Sequence, residues 1–262
     1  MMRALWSAAS GMIAQQLRVD TIANNLANVN TTGFKRSRVD FQDMLYQTLR
    51  APGATSAEGV EVPTGLQIGL GTRLVATQQV FSPGVWEQTE NPLDLAIRGK
   101  GFFQILQPSG SVAYTRAGAF KLDSEGTLVN SDGLPLEPPM VIPGNATDVW
   151  VGLDGTVSVG VPGQTDRQVL GQIELAYFPN PAGLESLGGG LYRPTAASGE
   201  VVTGTPGQDG LGEVQSGAVE LSNVQVVQEL VNMIVAQRAY EANSRAIQVA
   251  DDMLQTANNA RV

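Results

Sequence analysis

Neither cysteine nor histidine occurs anywhere in the 262 residues. Their absence excludes a thiolate nucleophile, an imidazole base, disulfide staples and ordinary zinc sites. Aromatic residues make up only 6% of the chain, and basic residues are outnumbered 16 to 25 by acidic ones. The resulting net charge of −9, with a pI near 4.5, argues against nucleic acid, whose phosphates require a basic face. The one basic cluster, Lys35, Arg36 and Arg38, reads as cations placed beyond a helix C-terminus. No run of about eighteen apolar residues is present, so no membrane insertion is expected. The segment Ala4–Ala14 behind Arg3 is too rich in Ser and Gly for a secretory signal, and a helical pattern runs through it.

That pattern is the strongest feature present. Leu5, Ala8, Met12, Gln15, Val19, Ile22, Leu26 and Val29 alternate steps of three and four, and seven of the eight are apolar. This spacing keeps one helical stripe toward a partner helix. A second helix is expected from about Ser222 to Arg261, a stretch without Gly or Pro. Ser222 with Gln225 fits a capping box there. Its first half is apolar nearly all round, including Val227, Leu230 and Ile234. Its second half carries a seven-residue stripe, Tyr240, Ile247 and Leu254, beside a stripe of mostly small residues.

Between the helices the composition changes. A short helix is expected over Asp40–Thr48, then an extended connector rich in Gly, Pro, Thr and Ala. From Leu93 to Phe178 short alternating segments and turn signals predict an antiparallel β domain, with Asp154-Gly155 marking a two-residue hairpin. The expected class is α+β: terminal helices packed as a coiled coil, an extended connector and a central antiparallel β domain. The parts are residues 1–48, the connector 49–92, the β domain 93–212 and the C-terminal helix 213–262.

Chemistry is sparse. Gly99-Lys-Gly101 precedes a strand, whereas a phosphate loop needs a following helix. Asp94, Asp123, Asp132, Asp148 and Asp154 sit where Asp forms turns. No catalytic residue, cofactor or metal site is expected. The helices would be roughly 45 and 57 Å long at about 1.5 Å per residue, more apolar surface than one partner helix covers. Identical subunits packing their terminal helices into an open helical filament would cover the rest. The subunit-packing residues are then Leu5, Met12, Val19, Ile22, Leu26, Val29, Val227, Leu230, Ile234, Tyr240, Ile247 and Leu254.

The segment Asn24-Asn-Leu-Ala-Asn-Val-Asn-Thr-Thr-Gly-Phe-Lys-Arg36 resembles the signature of the bacterial flagellar rod and hook family. Gln237-Arg-Ala-Tyr-Glu-Ala-Asn-Ser244, Gly99-Lys-Gly-Phe-Phe103 and Tyr114-Thr-Arg-Ala-Gly-Ala-Phe120 match it as well. The signature positions are Asn24, Asn25, Asn28, Asn30, Gly33, Phe34, Gln237, Arg238, Tyr240, Glu241 and Asn243. The resemblance implies a non-enzymatic subunit stacked in a helical tube around an export channel, with terminal helices inside and β domain outside. Residues 46–63, with Tyr46, Arg50, Pro52, Gly53 and Pro63, resemble the segment that stiffens the distal rod. Phe41 and Leu45 resemble an export-gate motif, and helix packing explains them equally well. Implied partners are the chain itself, proximal rod proteins, the hook protein, the surrounding L- and P-ring proteins and the flagellar type III export apparatus. The implied location is the basal body across the periplasm, reached without a cleaved signal. A hook-type universal joint of the same family and a secreted peptidoglycan-binding or hydrolysing protein are the competing readings.

Overall fold

The computed structural model describes residues 2–52, 55–57, 60–61, 63–163 and 166–259. Two helices, α1 (Met2–Ala27) and α2 (Val226–Asn259), enclose a β-rich middle in sequence, so the chain is α+β. It divides into two compact units. The first combines residues 1–26, 37–78 and 225–262; the second combines 27–36 and 79–224.

In the second unit Phe102–Leu106 is the centre of a seven-stranded antiparallel sheet. Val112–Thr115 pairs with one side of it and Leu175–Tyr177 with the other, while Leu136–Glu137 pairs with its outer half. A three-stranded sheet, Asp148–Val151, Thr156–Gly160 and Gln168–Gln172, and two-stranded ladders complete the unit. Alternation along these strands sends Phe103 and Ile105 to one core, with Leu95, Ile97, Phe120, Leu136, Ile173 and Leu175. Phe102 points to the other face, into a cluster with Tyr114, Phe178 and Tyr192. Edge-to-face contacts at 4.9–5.7 Å join Phe81, Phe102, Tyr114, Phe178 and Tyr192, the geometry that the ring quadrupole favours.

In the first unit α1 turns its heptad stripe inward. Ala8 and Ile22 are buried, as are Ala14 and Asn25 off the stripe, and Leu5, Met12, Gln15, Val19 and Leu26 are partly covered; Val29, also partly covered, falls in the second unit. A Cβ built on Gly11 would lie 2.8 Å from Asn243 Nδ2, so α1 and α2 approach closely there. Asn25, buried at the end of α1, pairs with the main chain of the next strand. Its Nδ2 donates to Ser37 O at 2.9 Å, and its Oδ1 accepts from Ser37 N–H at 2.8 Å. This amide thus pairs with the strand's main chain much as a neighbouring strand would.

Four local expectations are corrected. Asp40–Thr48 is not a helix: Ser37–Asp43 and Tyr46–Arg50 are strands, paired with Thr72–Gln79 and Leu66–Gly69. Isolated helices of such length are marginal, and neighbouring strands supply complete backbone partners. The helix start moves from Ser222 to Val226. Gln225 O accepts the first helical bond from Glu229 N–H, and the Ser222 hydroxyl accepts from Val224 N–H in a turn before it. The reversal at Asp154-Gly155 spans Gly152–Gly155 rather than two residues, because Gly152 N–H bonds Thr156 O across it. Lys35 is not a solvated cation beyond a helix end. It is 1% exposed, and its role belongs to the site below.

Candidate functional site: an ionic hub and an open apolar helix face

Three buried ionisable side chains meet in the second unit. Lys35 lies in the Asn-rich signature, Arg116 follows Val112–Thr115, and Glu220 ends Ala218–Glu220. Lys35 Nζ donates to Glu220 Oε1 and, at 2.8 Å, to Ser82 O. Arg116 grips Glu220 Oε2 through Nε at 2.9 Å and Nη2 at 2.8 Å. Its remaining N–H groups reach Gly99 O, Gly101 O and Ile97 O at 3.0, 2.7 and 3.3 Å. Gly84 N–H also bonds Glu220 Oε1 at 2.8 Å. The Gly99-Lys-Gly101 motif therefore presents carbonyls to a guanidinium, the reverse of a phosphate cradle.

Charges this deep survive only when paired and hydrogen-bonded. Burial pushes the Glu220 carboxyl up, but the Arg116 and Lys35 charges outweigh it, leaving the group below its ordinary value. Burial holds Lys35 below its ordinary value, with Glu220 opposing that shift in part. Burial and the nearby Glu220 charge push the Tyr192 hydroxyl up to about 12. Asn223 braces the same region: its Oδ1 accepts from Arg36 N–H at 2.8 Å, and its Nδ2 donates to Val80 O at 2.8 Å. Gly33 lies alongside, donating its N–H to Glu220 O at 2.7 Å. Its φ is +69°, and a Cβ there would meet Ala117 N at 2.5 Å, so both conformation and space require glycine.

The first unit carries a different feature. On α1, Met2, Trp6 and Ile13 are 66%, 72% and 62% exposed. On α2, Val227, Leu230, Val231, Ile234, Val235 and Tyr240 are all exposed, Val227 reaching 76%. The covered face of α2 instead follows the seven-residue series Glu229, Ala236, Asn243 and Ala250, with Ile247 and Leu254 partly covered beside it. Gln237, Tyr240 and Glu241 line a groove of about 410 Å³ with Gln16 and Val19 of α1. Arg238 and Glu241 pair at 3.2 Å on the surface.

Among the remaining expected positions, Asn24 and Asn30 are exposed, Phe34 is partly covered, and Asn28 Oδ1 accepts from the Thr31 hydroxyl at 3.2 Å. Phe41, Leu45, Tyr46, Arg50, Pro52 and Pro63 are exposed, and Gly53 lies outside the described residues. Among the described residues there is no group of three acidic side chains placed to hold a metal, and no helix long and apolar enough to cross a membrane. Sequence reasoning missed Arg116, Glu220 and Asn223, and misread Lys35. The available signal was a single charge inside an otherwise apolar or β-patterned run, as in Val112-Ala-Tyr-Thr-Arg116 and Ala218-Val-Glu-Leu221.

A β-rich unit with a buried ionic hub, and another unit whose long helices expose large apolar residues, fit the class of subunits that assemble with others. Three family models agree with that class. Residues 5–35 match the flagella basal body rod protein family, 96–159 the D1 domain of flagellar hook proteins FlgE/F/G, and 215–260 the C-terminal region of flagellar basal body rod FlgEFG proteins. The flagellar basal-body rod protein FlgG of Borreliella burgdorferi is 49% identical, covering 100% of this chain and 99% of its own. The FlgG proteins of Caulobacter vibrioides and Bacillus subtilis are 48% and 41% identical over 99% and 100% of this chain. The chain belongs to the FlgG family of flagellar basal-body rod proteins. Lys35 falls inside the first matched segment, Arg116 inside the second and Glu220 inside the third, so the hub ties the three together.

Proposed function

We propose that this chain is a non-enzymatic structural subunit of the distal rod. It polymerises into a stiff helical tube that transmits torque from motor to hook and encloses the export channel. The observation that carries this reading is the run Val227, Leu230, Val231, Ile234 and Val235, five large apolar residues exposed within nine positions of one helix. Water-exposed apolar patches of this kind mark association surfaces, and identical subunits joined heterologously form open helices.

In this reading α1 and α2 pack as coiled-coil elements of the inner wall, and the β domain of residues 93–212 lies outside. Residues 49–92 form the connector between them. Exposed residues of 46–63 wedge between neighbours and stiffen the tube. Neighbouring partners are proximal rod proteins, the hook protein and the L- and P-ring proteins, with delivery through the type III apparatus. A hook subunit is the weaker reading. The Helicobacter pylori flagellar hook protein FlgE is 43% identical, but over 52% of this chain and 19% of its own length.

Electron microscopy of polymer grown from purified subunits tests the proposal. Straight tubes are expected, and Ile234→Asp should give none. Curved polymer would favour the hook reading, and normal tubes from Ile234→Asp would overturn the helix-wall assignment.

A further inference from the structure

The ionic hub adjoins a partly open cleft of about 380 Å³, lined by residues of the second unit. Phe81, Tyr177 and Pro179 form apolar walls, the buried Lys35 and Arg116 line its inner side, and Lys100 lies at the rim. No acidic residue lines it. Glu220 supplies one negative charge against the two cations of the hub, and Lys100 adds a third cation 5.7 Å from the Tyr177 ring centroid. Apolar walls under a surplus of positive charge suit an occupant that joins a large apolar side chain to a carboxylate.

A second copy of this chain carries such a segment. Leu45 is the most exposed large apolar side chain among the described residues, at 86%, and Met44 beside it is 39% exposed. Asp43 precedes them and is also exposed. Asp43 ends the strand Ser37–Asp43, and Met44 and Leu45 link it to the strand Tyr46–Arg50. We propose that this cavity is a docking site for Asp43-Met44-Leu45 of a second copy, Leu45 between the aromatic and prolyl walls and Asp43 toward Lys100. The contact joins the first unit of one subunit to the second unit of its neighbour. This inference rests on the polymer reading and names one of its contacts.

The absence of cysteine makes a clean test possible. Full-length Leu45→Cys protein is polymerised together with full-length Lys100→Cys, Pro179→Cys or Pro181→Cys protein, and the polymer is treated with a short bismaleimide. A crosslinked heterodimer is expected in the pelleted polymer, and a control with Val169→Cys should give none. Adding Lys100→Glu to the Leu45→Cys and Pro179→Cys pair should cut the yield by about tenfold through like-charge repulsion, and Asp43→Lys should restore it. Straight polymer without heterodimer at any of the three positions, or with equal yield at Val169, overturns the docking site and leaves the rod reading intact. Failure of all variants and of the parent chain to polymerise overturns both.

Discussion

The two units of this chain differ in how far they bury their large apolar side chains. In the second unit Phe103, Ile105, Leu95 and Ile97 are fully buried, and three ionisable side chains are buried with them because each is paired. In the first unit two long helices leave Trp6, Val227 and Ile234 more than half exposed. The second unit therefore holds the larger apolar core, whereas the first leaves more of its large apolar side chains open to solvent. A buried hydrogen-bonded charge is costly to disturb within one molecule, and an exposed apolar side chain costs little until a partner is lost.

That contrast can be broken directly. The largest effect is expected at Ile234→Asp, which should abolish polymerisation while shifting the monomer's stability by about 0.5 kcal/mol or less, since the residue is exposed. Sedimentation beside chemical denaturation separates the two readouts. Ile22→Asp is the mirror case: at 4% exposure it buries an unpaired charge, so the monomer itself should lose helical circular dichroism. In the second unit Glu220→Ala should cost about 3–5 kcal/mol, because two buried cations lose their counter-charge. Denaturation followed by tryptophan fluorescence measures it.

A pH titration sharpens the same point. The folded Glu220 carboxyl lies below its ordinary value of 4.5, so its contribution is fully present above that pH. It should fade as pH falls below 4.5 through the folded value, as protonation removes the charge that Arg116 holds. Glu220→Gln should flatten this acid limb, and an unchanged limb would separate it from the hub. Gly33→Ala should cost about 1–2 kcal/mol for the left-handed backbone alone, more with the contact at Ala117. The smallest effect is at the surface: Arg238→Ala breaks an exposed pair and should change stability by roughly 0.3 kcal/mol.

The docking of Asp43-Met44-Leu45 links the two styles, since it would place an exposed apolar group of one unit against the charged cavity of the other kind. Deleting residues 51–63 offers a complementary test of stiffness. Polymer lacking them should bend more under electron microscopy, and equally straight tubes would remove that role from the segment.

Much was legible before any coordinates. The spacing of Leu5 through Val29 contains Ala8 and Ile22, which are buried in α1, but not the equally buried Ala14 and Asn25. The breadth of apolar residues at Val226–Val235 foretold exposed surface. The strand over Phe102–Leu106 was legible too, whereas the division of Phe103 and Ile105 to one core and Phe102 to the other came from the fold. The short helix at Asp40–Thr48 failed because Phe41, Met44 and Leu45 satisfy a loose helical spacing, and only pairing with Thr72–Gln79 selects the strand. The start of α2 moved for a related reason: Ser222 has the chemistry of a cap, yet Ala218–Glu220 is held in a ladder with Trp86–Gln88 just before it.

Periodicity, turn chemistry and the long signature segments were properties of the sequence, and they settled the α+β class, the terminal helices and the family. The hub was not among them. Lys35, Arg116 and Glu220 are separated by up to 185 residues, and nothing in the sequence pairs them with one another. Only the folded chain brings two cations to one carboxylate away from water, where electrostatic attraction is strong enough to hold them. The cavity beside them, with its surplus of positive charge, is likewise a consequence of tertiary packing.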